Sequence, residues 1–217
     1  MTEPVWRLAQ DVHAALCGED LVLLDVSKDQ YFCLPLAGAS LLLDPVLGVL
    51  RGLDEDFAVE LQVANLLTTH EVLQTRRWGR APTQDAFDIV PAPRGRAPSW
   101  PDLVVGSLAM LSRYHRRPFA DLVGRRRAQR GGRLDVAAAA RLGAGFQTSL
   151  PWLPVQGACL YQSFLLLDIL ARHDLRADWV FAVRTWPFAA HCWVQAGDVV
   201  LNDTVDYVSS FEPIMVV

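Results

Sequence analysis

A stretch rich in proline and arginine cuts the chain in two, and it constrains the fold more than any other feature. From Arg76 to Asp102 the sequence reads RRWGRAPTQDAFDIVPAPRGRAPSWPD, with five prolines and no apolar period. Proline fixes φ and removes a backbone donor, so this run suits neither a helix interior nor a central strand. A structureless loop of such length is uncommon inside a compact domain. The stretch therefore reads as a linker over residues 76–101, between a domain at 1–75 and another at 102–217. With 217 residues, 52% of them hydrophobic, the chain has apolar material for two modest cores.

Composition excludes several functions. The longest apolar runs are interrupted by Asp44-Pro45 and by Asp168, so no membrane span is expected. Residues Met1–Arg7 lack the basic start and apolar core of a signal peptide. A net charge of −4 gives no general attraction to nucleic acid. Cys17, Cys33, Cys159 and Cys192 lack the paired spacing of a zinc site, and neither a phosphate-binding glycine loop nor an HExxH motif occurs. A soluble, reduced, cytoplasmic protein without metal or cofactor is expected.

In the first part, Val12–Leu16, Leu21–Val26 and Tyr31–Leu34 are short β-prone runs separated by turn-like segments. Two helical patterns follow. Ala39–Leu50 carries leucines on one face, with Pro45 as a defect. Asp54-Glu55-Asp56 is an acidic start for Phe57–Leu67, whose Phe57, Leu61, Ala64 and Leu67 form a stripe. A shorter third helix over His70–Arg76 completes the pattern. So small a sheet has edges, and an edge can accept an extended peptide as an added strand.

The second part carries the chemistry. Leu103–Tyr114 has helical spacing, Arg125–Arg133 is a basic run on a loop or helix end, and Asp135–Leu142 reads as a helix capped by Gly143. Prolines and a glycine disfavour helix up to residue 157, and Cys159–His173 favours it thereafter. Cys159 then sits in the first turn, where backbone N–H groups and the helix dipole favour its thiolate. His191 lies in a strand-like run, and Asp203 ends the next one. A thiol, an imidazole to take its proton and a carboxylate to orient the imidazole form a nucleophilic site of the papain type.

Strand parity makes a demand on the turn between those runs. A three-residue loop at Ala196-Gly197-Asp198 pairs His191 with Asp203 on one face, whereas a two-residue loop at Ala196-Gly197 puts Asp203 on the far face. The triad thus calls for an odd-length turn or a bulge. On the same parity Cys192 faces away from His191 and reads as core, and His13, His70, His115 and His173 read as surface residues.

Two family resemblances follow from these residues. Leu23-Leu24-Asp25-Val26, then Tyr31-Phe32-Cys33-Leu34-Pro35-Leu36-Ala37-Gly38, resemble the winged-helix leader-peptide recognition element of the PqqD family. That resemblance implies that a leader pairs with Tyr31, Phe32, Cys33 and Leu34, with Leu66, Val72 and Leu73 as groove walls. The same residues also suit the core of a small unrelated domain. Cys159-Leu160-Tyr161-Gln162-Ser163, Pro187-Phe188-Ala189-Ala190-His191-Cys192-Trp193-Val194 and Leu201-Asn202-Asp203 are similar to the B proteins of lasso-peptide biosynthesis. In these, a transglutaminase-like cysteine protease carries the pattern C-L-x-R-S, P-F-x-A-H-A-W-V and L-N-D. Two positions depart from that pattern: Gln162 stands for the arginine and Cys192 for the alanine after the histidine.

The two resemblances together imply an α+β protein, a winged-helix-like leader-recognition domain fused to a transglutaminase-like (papain-like) cysteine protease domain. They imply a leader peptidase with Cys159, His191 and Asp203 as its triad. The Cys159 backbone N–H and one side-chain donor are expected to hold the oxyanion, with Gln156 as the candidate. The implied partners are a precursor peptide, bound by its leader, and an asparagine-synthetase-like cyclase that closes the macrolactam. Two alternatives stay open: acyl transfer to an amine, and a non-catalytic adaptor that only binds the leader.

Overall fold

The computed structural model describes residues 5–74, 76–77, 80–90, 101, 104, 114, 116–129, 131–152 and 159–217. Contacts divide the chain into two compact units. The first comprises Met1–Trp78 with Ala182–Ala190 and Glu212–Val216; the second comprises Gly79–Phe181 with His191–Phe211 and Val217.

The first unit opens with β1 (Trp6–Leu8), β2 (Val12–Cys17), β3 (Asp20–Asp25) and β4 (Gln30–Leu34). Strands β2, β3 and β4 form an antiparallel sheet in that order, with Val12 opposite Asp25 and Leu21 opposite Leu34. The expected β-prone runs are thus strands to within a residue or two. Every residue of β3 is buried. Its Leu21 and Leu23 enter a core cluster with Trp6, Leu50 and Leu61, and Val22 and Leu24 on its other face are just as buried. Continuous Leu/Val sequence, rather than strict alternation, is what a strand covered on both faces requires. His13, expected at the surface, is buried on β2, with its Nε2 at 3.3 Å from Gln74 Nε2.

The helix expected at Ala39–Leu50 does not form. Instead β5 (Leu42–Asp44) and β6 (Val49–Arg51) make a hairpin that joins β1 and β7 (Leu67–Thr68) in a sheet of order β5-β6-β1-β7. Pro45 cannot donate within a helix, and the Asp44 carboxylate instead accepts the N–H groups of Val46 and Leu47 at 3.0 and 2.8 Å. The leucine stripe misled because it serves a strand and a turn; Leu42 and Leu47 are exposed. No helix forms over His70–Arg76 either, since residues 71–74 have no regular structure. A winged-helix unit was expected to hold two or three helices; one occurs here among the described residues, α1 (Glu55–Val63).

Helix α1 starts as the acidic run requires. Asp54 caps it by accepting the Phe57 N–H at 3.2 Å. It stops four residues earlier than expected because Asn65 adopts φ 61. Asn65 N–H then donates to Gln62 C=O and Leu66 N–H to Leu61 C=O, both at 2.9 Å, closing the helix with a Schellman motif. Leu67 is left free to begin β7. Arg76, the first residue of the expected linker, packs within this unit. It is buried, and its guanidinium donates to the carbonyls of Leu8, Ala9 and Val12 at 3.1–3.3 Å.

In the second unit, part of the expected linker is folded. Gln84–Asp85 form β8 and Ala86–Ile89 form α2, with Ala86 fully buried. Side-chain bonds hold residues 83–85 in place. Thr83 Oγ1 donates to Asp198 Oδ2 at 2.7 Å, and the Val205 N–H donates to Asp85 Oδ1 at 2.5 Å. Along the rest of the chain come α3 (Phe119–Ala128), α4 (Val136–Ser149), a 3-10 turn at Leu150–Trp152, α5 (Cys159–Arg172), β9 (Asp178–Arg184), β10 (Ala189–Ala196), β11 (Val199–Val200), α6 (Val205–Val208) and β12 (Glu212–Val216); β12, the last three residues of β9 and the first two of β10 are counted with the first unit. The sheet order is β12-β9-β10-β11-β8, with β10 and β11 antiparallel and β11 and β8 parallel. The helix expected at Leu103–Tyr114 lies almost wholly outside the described residues.

Two further differences matter for the site. Gly143 does not cap a helix; α4 runs through it to Ser149. A Cβ there would come within 2.7 Å of the Leu201 carbonyl oxygen, so glycine is what lets α4 lie against that backbone. The basic run does begin at a helix end, as Arg125–Arg127 fill the last turn of α3. Arg126 is partly structural: its guanidinium lies 4.4 Å from the Phe164 ring centre and donates to the Phe164 carbonyl at 3.0 Å.

Candidate active site

Cys159 is the first residue of α5, and the rest of the helix explains why it is held firmly there. Ser163 through Leu170 are all buried, which fixes the helix in the core. Phe164 packs edge-on to Trp179 of β9, and Trp179 in turn lies 4.7 Å from Phe181. A helix anchored over two turns leaves its first residue little freedom, and a nucleophile needs that rigidity.

His191 sits near the start of β10. Its ring stacks 6.2 Å from Trp193, and Tyr207 of α6 and Phe211 pack 5.1 and 5.3 Å away. His191 and Trp193 sharing one face is the alternation read from the sequence. His191 Nε2 lies 2.7 Å from Asp203 Oδ2. The Asp203 carboxylate is itself oriented, since its Oδ1 accepts the Thr204 N–H at 2.8 Å. With Nε2 held by Asp203, Nδ1 is the ring nitrogen left for the thiol.

The turn that brings these residues together is not the odd-length one the parity argument called for. Gln195 pairs with Val200 and Ala196 with Val199, which leaves a two-residue turn at Gly197-Asp198 with Gly197 at φ 65. Continued as a ladder, this register would set Asp203 opposite Cys192, on the wrong face. The ladder does not continue. β11 ends at Val200, and Leu201–Asp203 bend away, which carries Asp203 round to His191. The bend takes the place of the bulge.

The electrostatics suit an ion pair. A hydrogen bond from the Cys192 thiol is the largest influence on Cys159; burial opposes it, and His191 adds a hydrogen bond and its charge. The outcome holds the Cys159 thiol at about 4. Burial works to lower the His191 pKa, but the hydrogen bonds with Asp203 and Cys159 overcome it and raise the imidazole to about 9. Between those values the pair is a thiolate beside an imidazolium, a nucleophile and its acid ready at neutral pH. The other thiols behave oppositely. Burial pushes Cys17 up to about 11 and raises Cys33, and Cys192 goes well up because it donates to Cys159.

Cys192 is buried, as the sequence required, but it is more than core filling: its thiol lies against that of Cys159. Strand alternation alone did not reveal this, because it says which face a side chain takes and not what packs there. Tyr207 and Phe211 around His191 were also missed, and nothing in their local sequence marked them. Gln156, the candidate oxyanion donor, lies outside the described residues. The sequence-expected leader residues all fall in the first unit. Tyr31, Phe32, Cys33 and Leu34 lie on β4, where Phe32 and Leu34 pack on the core and Tyr31 meets Phe188 edge-on at 5.8 Å. Leu66 is part of the core, so it cannot wall an open groove. Val72 is half-buried and Leu73 fully exposed, on irregular chain rather than a helix.

A thiol at a helix start, a histidine on one strand and an aspartate beyond the next are arranged here on a mixed α/β frame. Residues 103–216, just over half of the chain, match the family described as Transglutaminase-like superfamily. The chain belongs to this superfamily. It is also similar to the microcin J25-processing protein McjB of Escherichia coli, with 44% identity over 45 residues, 21% of this chain and 22% of that protein. The chain therefore matches only about a fifth of the length of that curated relative. No solved structure matches the chain. The likeness to lasso-peptide B proteins read from the sequence is supported by both matches. Among the described residues of this superfamily member, no cluster of ligand side chains could hold a metal ion, and no helix is long and apolar enough to cross a membrane.

Proposed function

We propose that the chain is a cytoplasmic leader peptidase of lasso-peptide biosynthesis, a cysteine hydrolase whose triad is Cys159, His191 and Asp203. The observation that carries this reading is the 2.7 Å bond between His191 Nε2 and Asp203 Oδ2, beside a thiol held at about 4. In the reaction, the Cys159 thiolate attacks the carbonyl carbon of the leader–core bond. The imidazolium of His191 gives its proton to the departing amine, which frees the first residue of the core. Water then attacks the thioester while His191 takes its proton, and the leader leaves with a new carboxylate. Asp203 keeps the ring oriented and stabilises its charge throughout. The Cys159 backbone N–H, with Gln156 as the second donor, is the site for the oxyanion.

The leader is bound by the N-terminal unit, a leader-recognition module of the PqqD kind over residues 1–75, with 76–101 leading into the catalytic part at 102–217. Strand β4 ends its sheet, and its outer edge can pair with an extended leader through main-chain hydrogen bonds. Tyr31 and Cys33 lie on the face of β4 turned away from the core-packed Phe32 and Leu34. Capturing the leader raises the effective concentration of the scissile bond at Cys159. The freed core amine is then the substrate of an asparagine-synthetase-like cyclase.

The test is incubation of the protein with a lasso precursor of matching leader, followed by mass analysis. Two products whose masses sum to precursor plus one water are expected. Loss of ammonia on addition of an amine would instead show transglutaminase-type acyl transfer. Binding without any change in mass would reduce the protein to an adaptor.

A further inference from the structure

Each member of the triad has a neighbour that takes part in one buried polar cluster. Ser163 lies four residues after Cys159, on the same face of α5. Cys192 follows His191 on β10, and Asn202 precedes Asp203 in the bend. Ser163 is fully buried, Cys192 is 2% exposed and Asn202 9% exposed. Asn202 uses both ends of its amide. Its Oδ1 accepts the Val194 N–H at 2.7 Å, and its Nδ2 donates to Ser163 Oγ at 3.1 Å. Ser163 Oγ in turn donates to the Cys192 carbonyl at 3.4 Å.

The position of Asn202 explains what the cluster is for. Leu201 N–H makes the last ladder bond, to the Val194 carbonyl at 2.9 Å, and beyond it the chain leaves the sheet. The Val194 N–H is left without a strand partner there, and the Asn202 side chain supplies one. The bend is steadied from the other side by α4, where Gln147 Nε2 donates to the Leu201 carbonyl at 2.9 Å and Gly143 permits close approach. The cluster thus ties together the helix that carries Cys159, the strand that carries His191 and the bend that carries Asp203.

We infer that Asn202 and Ser163 are positioning residues for the triad, forming a single buried clip that fixes α5, β10 and the Leu201–Asp203 bend at one mutual distance. Neither touches the reacting atoms. A buried, fully bonded network selects one arrangement, and deleting one member strands the others without partners. Displacement of a catalytic group by about 1 Å can cost roughly 100-fold in rate. The Cys159–His191 pair is the part most sensitive to such a shift, because it depends on a direct thiolate–imidazolium contact. The inference rests on Cys159 being the nucleophile.

The test uses Asn202→Ala, Ser163→Ala and the double variant in the full chain. Two readouts are followed: precursor cleavage, and the pH dependence of Cys159 alkylation by iodoacetamide. Alkylation requires no peptide substrate, so it reports on the clip even if the native substrate differs from the one proposed. In each single variant the midpoint of Cys159 alkylation is expected to rise by about one pH unit or more from its unsubstituted value. For precursor cleavage kcat is expected to fall roughly 30- to 100-fold, with KM within about threefold. The double variant is expected to be no worse than the poorer single one, because the two residues act as a unit. Ser163→Ala removes a single oxygen and guards against a folding failure in Asn202→Ala; urea unfolding of each variant confirms the native fraction. A folded Ser163→Ala variant whose Cys159 alkylates with an unshifted midpoint overturns the inference. So do fully additive effects in the double variant.

Discussion

Replacing Cys159 by alanine is expected to abolish precursor cleavage while leaving the affinity for the leader unchanged within about twofold. Removal of a nucleophile from a catalytic triad costs on the order of 10⁴- to 10⁶-fold in kcat, because the remaining groups have no covalent route to assist. Leader binding is proposed for β4 and not for Cys159, so a titration of labelled leader against the variant serves as the control. The substitution is mild in packing terms, since Cys159 is half-buried and sits at a helix start where alanine is tolerated. Retained cleavage would remove Cys159 from the mechanism. Loss of both cleavage and leader binding would point to misfolding, and a thermal melt separates the two.

The second large effect is expected at Asp203. Asp203→Ala should lower kcat/KM by roughly 10³-fold near neutral pH, since the imidazole loses both its orientation and the charge that sustains its protonated form. The pH profile shows the cause. For the unsubstituted protein a bell is expected, rising as the Cys159–His191 pair ionises near 4 and falling as the imidazolium loses its proton near 9. A thiol whose pKa is lowered is charged above that value, and an imidazole whose pKa is raised keeps its proton below that value. Asp203 holds the imidazole up, so its removal should move the alkaline limb downward toward the ordinary histidine value of about 6.5. An alkaline limb that stays in place in Asp203→Ala would mean that Asp203 does not support the imidazolium.

Stability should follow the same pair. The lowered Cys159 pKa contributes stability that is complete above the unfolded thiol value of about 8.5 and is lost as pH falls toward 4. The raised His191 pKa contributes stability that is present below about 6.5 and is lost as pH rises through 9. Between about 4 and 9 each contribution is at least partly present, and there the ion pair is intact.

The parts of the structure legible in the sequence were those set by local chemistry. The three strands β2, β3 and β4 follow from β-prone runs bounded by turn residues, and Asp54 marks the start of α1. The start of α5 at Cys159 follows from the prolines and glycine before it. What failed depended on features that a period cannot show. The leucine stripe at Ala39–Leu50 has helical spacing, yet Pro45 and the side-chain bonds of Asp44 make a hairpin of it. Asn65 ended a helix whose stripe ran on to Leu67, because its backbone takes a left-handed conformation.

At the site, the residue types were legible and the route that joins them was not. Strand parity identified a genuine difficulty in bringing Asp203 to His191, and the expected remedy was an odd-length turn or a bulge. The protein keeps an even turn and leaves the sheet after Val200, with Asn202 filling the vacated ladder position. That solution needs a buried amide, a hydroxyl one helical turn from Cys159 and a glycine on α4. Each of these residues was visible in the sequence, but only their tertiary contacts give them a role. The proximity of the Cys192 thiol to Cys159 is of the same kind.

The most direct test is the rate of iodoacetamide alkylation at each cysteine as a function of pH, mapped by mass spectrometry and followed together with residual cleavage activity. Cys159 is expected to be modified first, with an inflection near 4, while Cys17, Cys33 and Cys192 stay unreactive at neutral pH. Activity should fall in step with that one modification. Alkylation of Cys159 with the pH dependence of an ordinary thiol would rule out the thiolate–imidazolium pair, and activity that survives its complete modification would rule out Cys159 as the nucleophile.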